Sequence, residues 1–192
     1  IALSLALGIA GAGSLQAHED LTARILMLTT LLSTNPSNVE VLIQRGDIYR
    51  LHGNWTEARN DYAAAGKLAT NSTAVLLGQA QLHVDVGEDA AARADFDAFI
   101  ARVPTNSVAL LGRARVLVRL GERRAAIADY SHAIAVAANP QPEEFLERAG
   151  LQATESGAEA AIKGLDEGLA RLGWAVTFQK AAIEYELKRA RP

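Results

Sequence analysis

Along most of the chain, apolar residues recur three and four positions apart, in runs of about three turns separated by short polar breaks. That spacing predicts a protein built of amphipathic helices. The stretch Leu42–Ala65, LIQRGDIYRLHGNWTEARNDYAAA, holds two such runs with Gly53 between them. A glycine there ends the first helix by taking a left-handed backbone at little cost. Asn54, with Glu57 three residues on, predicts a capping arrangement at the start of the second helix.

The same pattern returns at a fixed interval. Gly53, Gly87 and Gly121 are evenly spaced, and Ala58, Ala92 and Ala126 share their spacing. Asp61, Asp95 and Asp129 keep the interval, as do the rings Tyr62, Phe96 and Tyr130. Leu42, Leu76 and Leu110 are each followed four residues later by a small residue, Gly46, Ala80 or Ala114. The small residues are expected where two helices cross closely, and the rings between neighbouring units. A 34-residue period with this set of positions resembles the tetratricopeptide repeat (TPR) family. The resemblance implies an all-α fold, a right-handed superhelical solenoid of antiparallel helix hairpins. One hairpin cannot bury its apolar face alone, so stability is expected from stacking.

On this reading residues 39–72, 73–106 and 107–141 are three regular repeats, and 142–173 a fourth, looser one. Gly157 arrives two positions later than the interval from Gly121 requires, and Gly164, Gly168 and Gly173 are expected to weaken the fourth unit's second helix. Residues 18–38 are read as an incomplete repeat, its helix Glu19–Ser33 capping the stack. Trp174–Ala190 is read as the first helix of an interrupted fifth repeat, within 174–192. The opening Ile1–Gly13 is apolar and uncharged, too short to span a bilayer, and small residues follow up to Ala17. Residues 1–17 are therefore expected to be the hydrophobic part of a signal peptide, and the chain a piece of a longer protein. Arg outnumbers Lys and Ala is abundant, which with this opening fits a bacterial protein exported to the periplasm or secreted.

Composition narrows the function classes. The chain has 192 residues, 49% of them hydrophobic, and no cysteine. The apolar content argues against disorder, and the lack of cysteine excludes disulfides, thiolate metal sites and a cysteine nucleophile. A net charge of −3 gives no sign of a nucleic-acid partner. The four histidines are scattered over different units, without the convergence that a metal site needs. Asp61, Asp95 and Asp129 lie one repeat apart, too far for paired carboxylate catalysis, and read as solvated or capping positions. Asn71-Ser72-Thr73 matches the glycosylation acceptor pattern. No Walker motif and no nucleophile elbow is present. The expectation is a non-enzymatic protein with no cofactor and no metal.

The resemblance also implies a binding face, a concave groove lined by the first helix of each repeat. Carried over position by position, it gives Glu40, Ile43, Asp47 and Arg50 in the first repeat, and Leu77, Gln81, Val84 and Asp85 in the second. It gives Leu111, Arg115, Val118 and Arg119 in the third, and Leu146 in the fourth. The row Ile43, Leu77, Leu111, Leu146 is apolar, which suits a bound helix or extended peptide. Glu40 and Asp47 make one wall acidic, and Arg115 and Arg119 make another basic. The expected function is a scaffold that binds a protein or peptide in this groove, with no membrane span in the mature chain. The alternatives are a spacer that self-associates and the non-catalytic arm of a larger enzyme.

Overall fold

The computed structural model describes residues 9–173 and 176–190. Of the expected signal segment, residues 1–8 lie outside the described residues, as do the first two residues of the helix expected from Trp174. Among the described residues the secondary structure is ten helices. They are α1 (Ile9–Thr34), α2 (Val39–Leu51), α3 (Trp55–Leu68), α4 (Thr73–Asp85), α5 (Asp89–Ile100), α6 (Ser107–Arg119), α7 (Arg123–Val136), α8 (Pro142–Ser156), α9 (Ala158–Leu172) and α10 (Val176–Arg189). None of the described helices is long and apolar enough to cross a membrane. The helix expected to begin at Glu19 begins earlier, at Ile9. No proline or strong N-cap signal interrupts it there. The chain forms two compact units, Ile1–Leu82 and His83–Pro192.

In the first unit α1 lies against α2, and α2 folds back on α3. The turn between α2 and α3 uses Gly53 at φ +75°, as the sequence predicts. The cap differs. Asn54 stands at the N-cap of α3 but its side chain makes no capping hydrogen bond. The side-chain caps sit instead on the first helices. The Val41 amide donates to Asn38 Oδ1 at 3.2 Å and the Val75 amide to Ser72 Oγ at 3.3 Å. In the second unit the Ala109 amide donates to Asn106 Oδ1 at 2.9 Å. These three caps themselves keep the repeat interval.

The ring of Tyr62 is fully buried between two glycines. A Cβ built on Gly46 would meet Tyr62 Cε1 at 2.9 Å, and one on Gly78 would meet it at 2.6 Å. Gly46 belongs to the same hairpin and Gly78 to the next first helix. In the second unit Phe96 of α5 takes the same seat against α6, where a Cβ on Gly112 would lie 2.8 Å from Phe96 Cε1. One repeat later the equivalent position holds Leu146, and Tyr130 packs instead with Ala114, Leu117 and Ala126.

The fourth hairpin, α8–α9, turns at Gly157 with φ +90° and reverses the arrangement. Its seat is on the second helix: a Cβ on Gly168 would lie 2.9 Å from Phe178 Cε2 and 3.1 Å from Phe145 Cδ1. Phe178 comes from α10, and the two rings meet edge to face, with centroids 5.7 Å apart. Gly168 is therefore a close-packing position rather than a weak point. The Gly164 carbonyl accepts from Arg148 Nη2 at 3.2 Å, and the Arg148 side chain is only 4% exposed.

The repeated aspartates are not solvated. Asp61 and Asp129 are buried, each gripped by an arginine on the preceding helix. Arg45 donates to Asp61 through Nε at 2.8 Å and Nη2 at 2.7 Å. Arg113 donates to Asp129 through the same two atoms, both at 2.7 Å. The hydrogen bond to the carboxylate, ahead of the opposing cost of burial, holds both guanidiniums above their ordinary pKa. In the repeat between, Gln79 stands where the arginine would be, and Asp95 meets His83 Nδ1 at 2.7 Å instead. Burial pushes the Asp95 carboxyl up, and the His83 contact pulls it back down.

Three expected outcomes follow from these contacts. Gly78→Ala should lower stability by ~1–2 kcal/mol, because forcing Tyr62 from its seat outweighs the gain in helix propensity. Gly66→Ala, whose Cβ would meet only Val75 at an ordinary 3.5 Å, should be neutral or stabilising in the same thermal melts. Arg113→Met should cost ~2–4 kcal/mol in urea denaturation by leaving Asp129 buried without its cation, and adding Asp129→Leu should recover most of that loss.

Candidate functional site

The first helices of the second unit, α6, α8 and α10, carry the face where polar and apolar groups converge. Between α6 and α8 lies a recess of about 260 Å³ lined by Arg115, Val118, Tyr130, Glu147 and Leu151. Arg115 and Val118 stand one turn apart on α6, and Glu147 and Leu151 one turn apart on α8. Arg115 Nε and Nη2 both lie 3.2 Å from Glu147 Oε2. Tyr130 reaches the same carboxylate from α7. Burial first, then its hydrogen bond to Glu147, pushes the Tyr130 hydroxyl well above its ordinary pKa, so it stays a donor at any physiological pH. Val118 is 37% exposed and supplies the apolar wall. The recess thus offers a cation, an acceptor and an apolar surface within one turn of each other. That combination suits a peptide backbone with a hydrophobic side chain.

The other residues predicted for this face in the second unit divide in two. Arg119 is exposed but bound by Asp89 at 2.6 Å, so neither Arg115 nor Arg119 is an uncompensated cation. The wall that reads as basic in the sequence is internally balanced. Leu111 packs against the cluster of Ala114, Leu117, Ala126 and Tyr130. Leu146 packs against the cluster containing Ile134, Phe145 and Phe178. Both are half-buried, with Val84 likewise, while Asp85 is exposed.

In the first unit Ile43 is buried, 8% exposed, and is spent on packing. Glu40 is exposed and accepts from Gln44 Nε2 at 3.0 Å. Asp47 accepts from the Tyr62 hydroxyl at 2.6 Å, with Arg50 beside the same group. Burial and then the Asp47 contact raise the Tyr62 pKa, the same protonated-tyrosine arrangement seen at Tyr130. Leu77 and Gln81 are half-buried.

Tyr130, Glu147 and Leu151 are the lining residues that position-by-position reasoning does not find. The signal was present in the choice of ring. Two of the three repeating aromatics are tyrosines, and a buried tyrosine needs a partner for its hydroxyl. Asp47 and Glu147 are those partners. Among the described residues no group of three or more His, Asp or Glu side chains could hold a metal ion.

No family model matches the chain, and no curated protein does. Solved structures do. A tetratricopeptide repeat protein from Parabacteroides merdae ATCC 43184 is similar at TM-score 0.59 and 20% identity over 87% of this chain, which spans 65% of that protein's length. MamA is similar at TM-score 0.70 and 20% identity, covering 92% of this chain and 95% of its own. YrrB, described as a TPR protein with an unusual peptide-binding site, is similar at TM-score 0.65 and 14% identity, covering 83% and 81%. With its strict repeat period, its helix hairpins and these likenesses, the chain carries the tetratricopeptide-repeat fold.

Proposed function

We propose that the chain is a non-enzymatic interaction module that holds a peptide segment of a partner protein along the first-helix face of His83–Pro192. The observation that carries this reading is the recess between α6 and α8. Its donors and acceptor are already oriented by mutual hydrogen bonds, and Val118 and Leu151 stand beside them. Pre-oriented polar groups next to an apolar wall lower the ordering cost of holding an extended chain. YrrB, on the same fold, is described as having a peptide-binding site. The uncharged apolar opening Ile1–Gly13 supports export as part of the same proposal.

A display library of short random peptides, selected against the whole chain, tests this reading. Selected peptides should bind the Val118→Glu variant at least about tenfold more weakly, because a carboxylate would be desolvated against the peptide's apolar group. The helical melt should be unchanged, since Val118 is 37% exposed. Peptides that bind Val118→Glu and the parent equally would contradict the placement, and no selection above background would contradict the function.

A further inference from the structure

We infer that the partner segment is acidic at one defined place: a peptide that seats an apolar side chain between α6 and α8 puts an Asp or Glu side chain between α8 and α10. This deepens, and rests on, the peptide-holding reading above. The second recess has a volume of about 500 Å³. Its lining joins the small residues Gly150, Ala153 and Ala158 with Tyr185, Lys188 and Arg189 of α10. Thr154 completes the lining, with its hydroxyl turned back to the Gly150 carbonyl at 3.2 Å. The lining holds two cations and no carboxylate.

The charge distribution singles this recess out. Arg115 and Arg119, the other cations on this face, are taken by Glu147 and Asp89. Glu155, next to Thr154, is taken by Arg123 and Arg124 at 3.7 and 3.4 Å. Arg189 makes one exposed contact along its own helix, to Glu186 at 2.8 Å. Lys188 sits over the Tyr185 ring, 5.6 Å from its centroid, and has no ion-pair partner among the described residues. The small side chains of Gly150, Ala153 and Ala158 leave room for an incoming side chain beside Tyr185, which adds a hydroxyl donor. Burial, helped by the charge of Glu184, keeps that hydroxyl protonated. Two cations and a phenol in a lining without carboxylates are complementary to an incoming carboxylate.

The spacing follows from α8, which borders both recesses. Glu147 and Leu151 face one of them, and Gly150, Ala153 and Thr154 the other. The two sets are adjacent flanks of one helix, so the recesses are about one interhelical distance apart, ~8–10 Å. An extended chain covers that in about three residues at ~3.3 Å each.

The peptide selection described above reads this out, together with the variant Lys188→Gln/Arg189→Gln and its charge-reversed counterpart Lys188→Glu/Arg189→Glu. Selected peptides should carry Asp or Glu about three residues from a large apolar residue. The charge-reversed variant should bind them about tenfold more weakly at low salt, the scale of two exposed charge pairs, with the neutral variant in between. The difference should shrink as salt rises, and replacing the peptide's acid by its amide should reproduce the loss on the parent protein. Peptides without acidic enrichment, or indifferent to both variants, would overturn this inference. If those same peptides still lost affinity for Val118→Glu, the peptide-holding reading would stand. No selected peptide at all would overturn both.

Discussion

The fold depends on an aromatic side chain from one hairpin lying where a side chain on the next helix would otherwise be. Tyr62 fills the space above Gly78, and Phe96 the space above Gly112. The ring removes a large apolar area from water, and the glycine lets the helix backbone approach it. Neither half is useful alone. Where the glycine is replaced, as by Leu146, the ring of Tyr130 packs elsewhere, and a glycine in a helix interior without the ring only weakens the helix. This is why the repeat interval is kept so strictly in the middle of the chain, and why several positions repeat together.

The same constraint is met differently in the fourth hairpin. The ring there comes from α10 and Phe145, and the glycine, Gly168, is on α9. Ile134 of α7 shares one buried cluster with Phe145, Leu165 and Phe178, so the core runs through the boundary between hairpins instead of stopping at it. The arginines of the arginine–aspartate pairs work both within a hairpin and back to the helix before it, Arg45 donating to Thr29 of α1 at 3.0 Å and Arg113 to Asp97 of α5 at 2.7 Å. Arg45–Asp61 and Arg113–Asp129 tie the first helix of a hairpin to its second. Polar groups buried there are satisfied two at a time, which offsets their desolvation.

From α2 onward, helix positions, turn glycines and the interlocking role of the rings were legible in the period, whereas α1 begins earlier than its pattern suggests. Other features were not. The arginine that grips each buried aspartate is present as Arg45 and Arg113 but replaced by Gln79 in the repeat between. A search for positions shared by all three repeats passes over it, and the aspartates then look solvated. The caps at Asn38, Ser72 and Asn106 do keep the period, but Ser72 is overshadowed by the glycosylation-like triplet around it. On the candidate face, helical position alone placed Arg115, Val118 and Arg119 on the surface. It could not tell that both arginines are neutralised, because their partners Glu147 and Asp89 lie about one repeat away in sequence. Ile43 was misjudged for a related reason: an apolar residue at a first-helix position reads the same whether it faces solvent or a neighbouring helix.

If hairpins are stable only through their neighbours, one of them excised should not hold its shape. The most direct measurement is far-ultraviolet circular dichroism of residues 107–141, the α6–α7 hairpin, as an isolated peptide. It should show little helix and no cooperative melt, because Ile134 would lose the cluster it shares with α8, α9 and α10. A peptide that is helical and melts with a sharp transition would show that each hairpin is stable by itself, and would contradict this account of the fold.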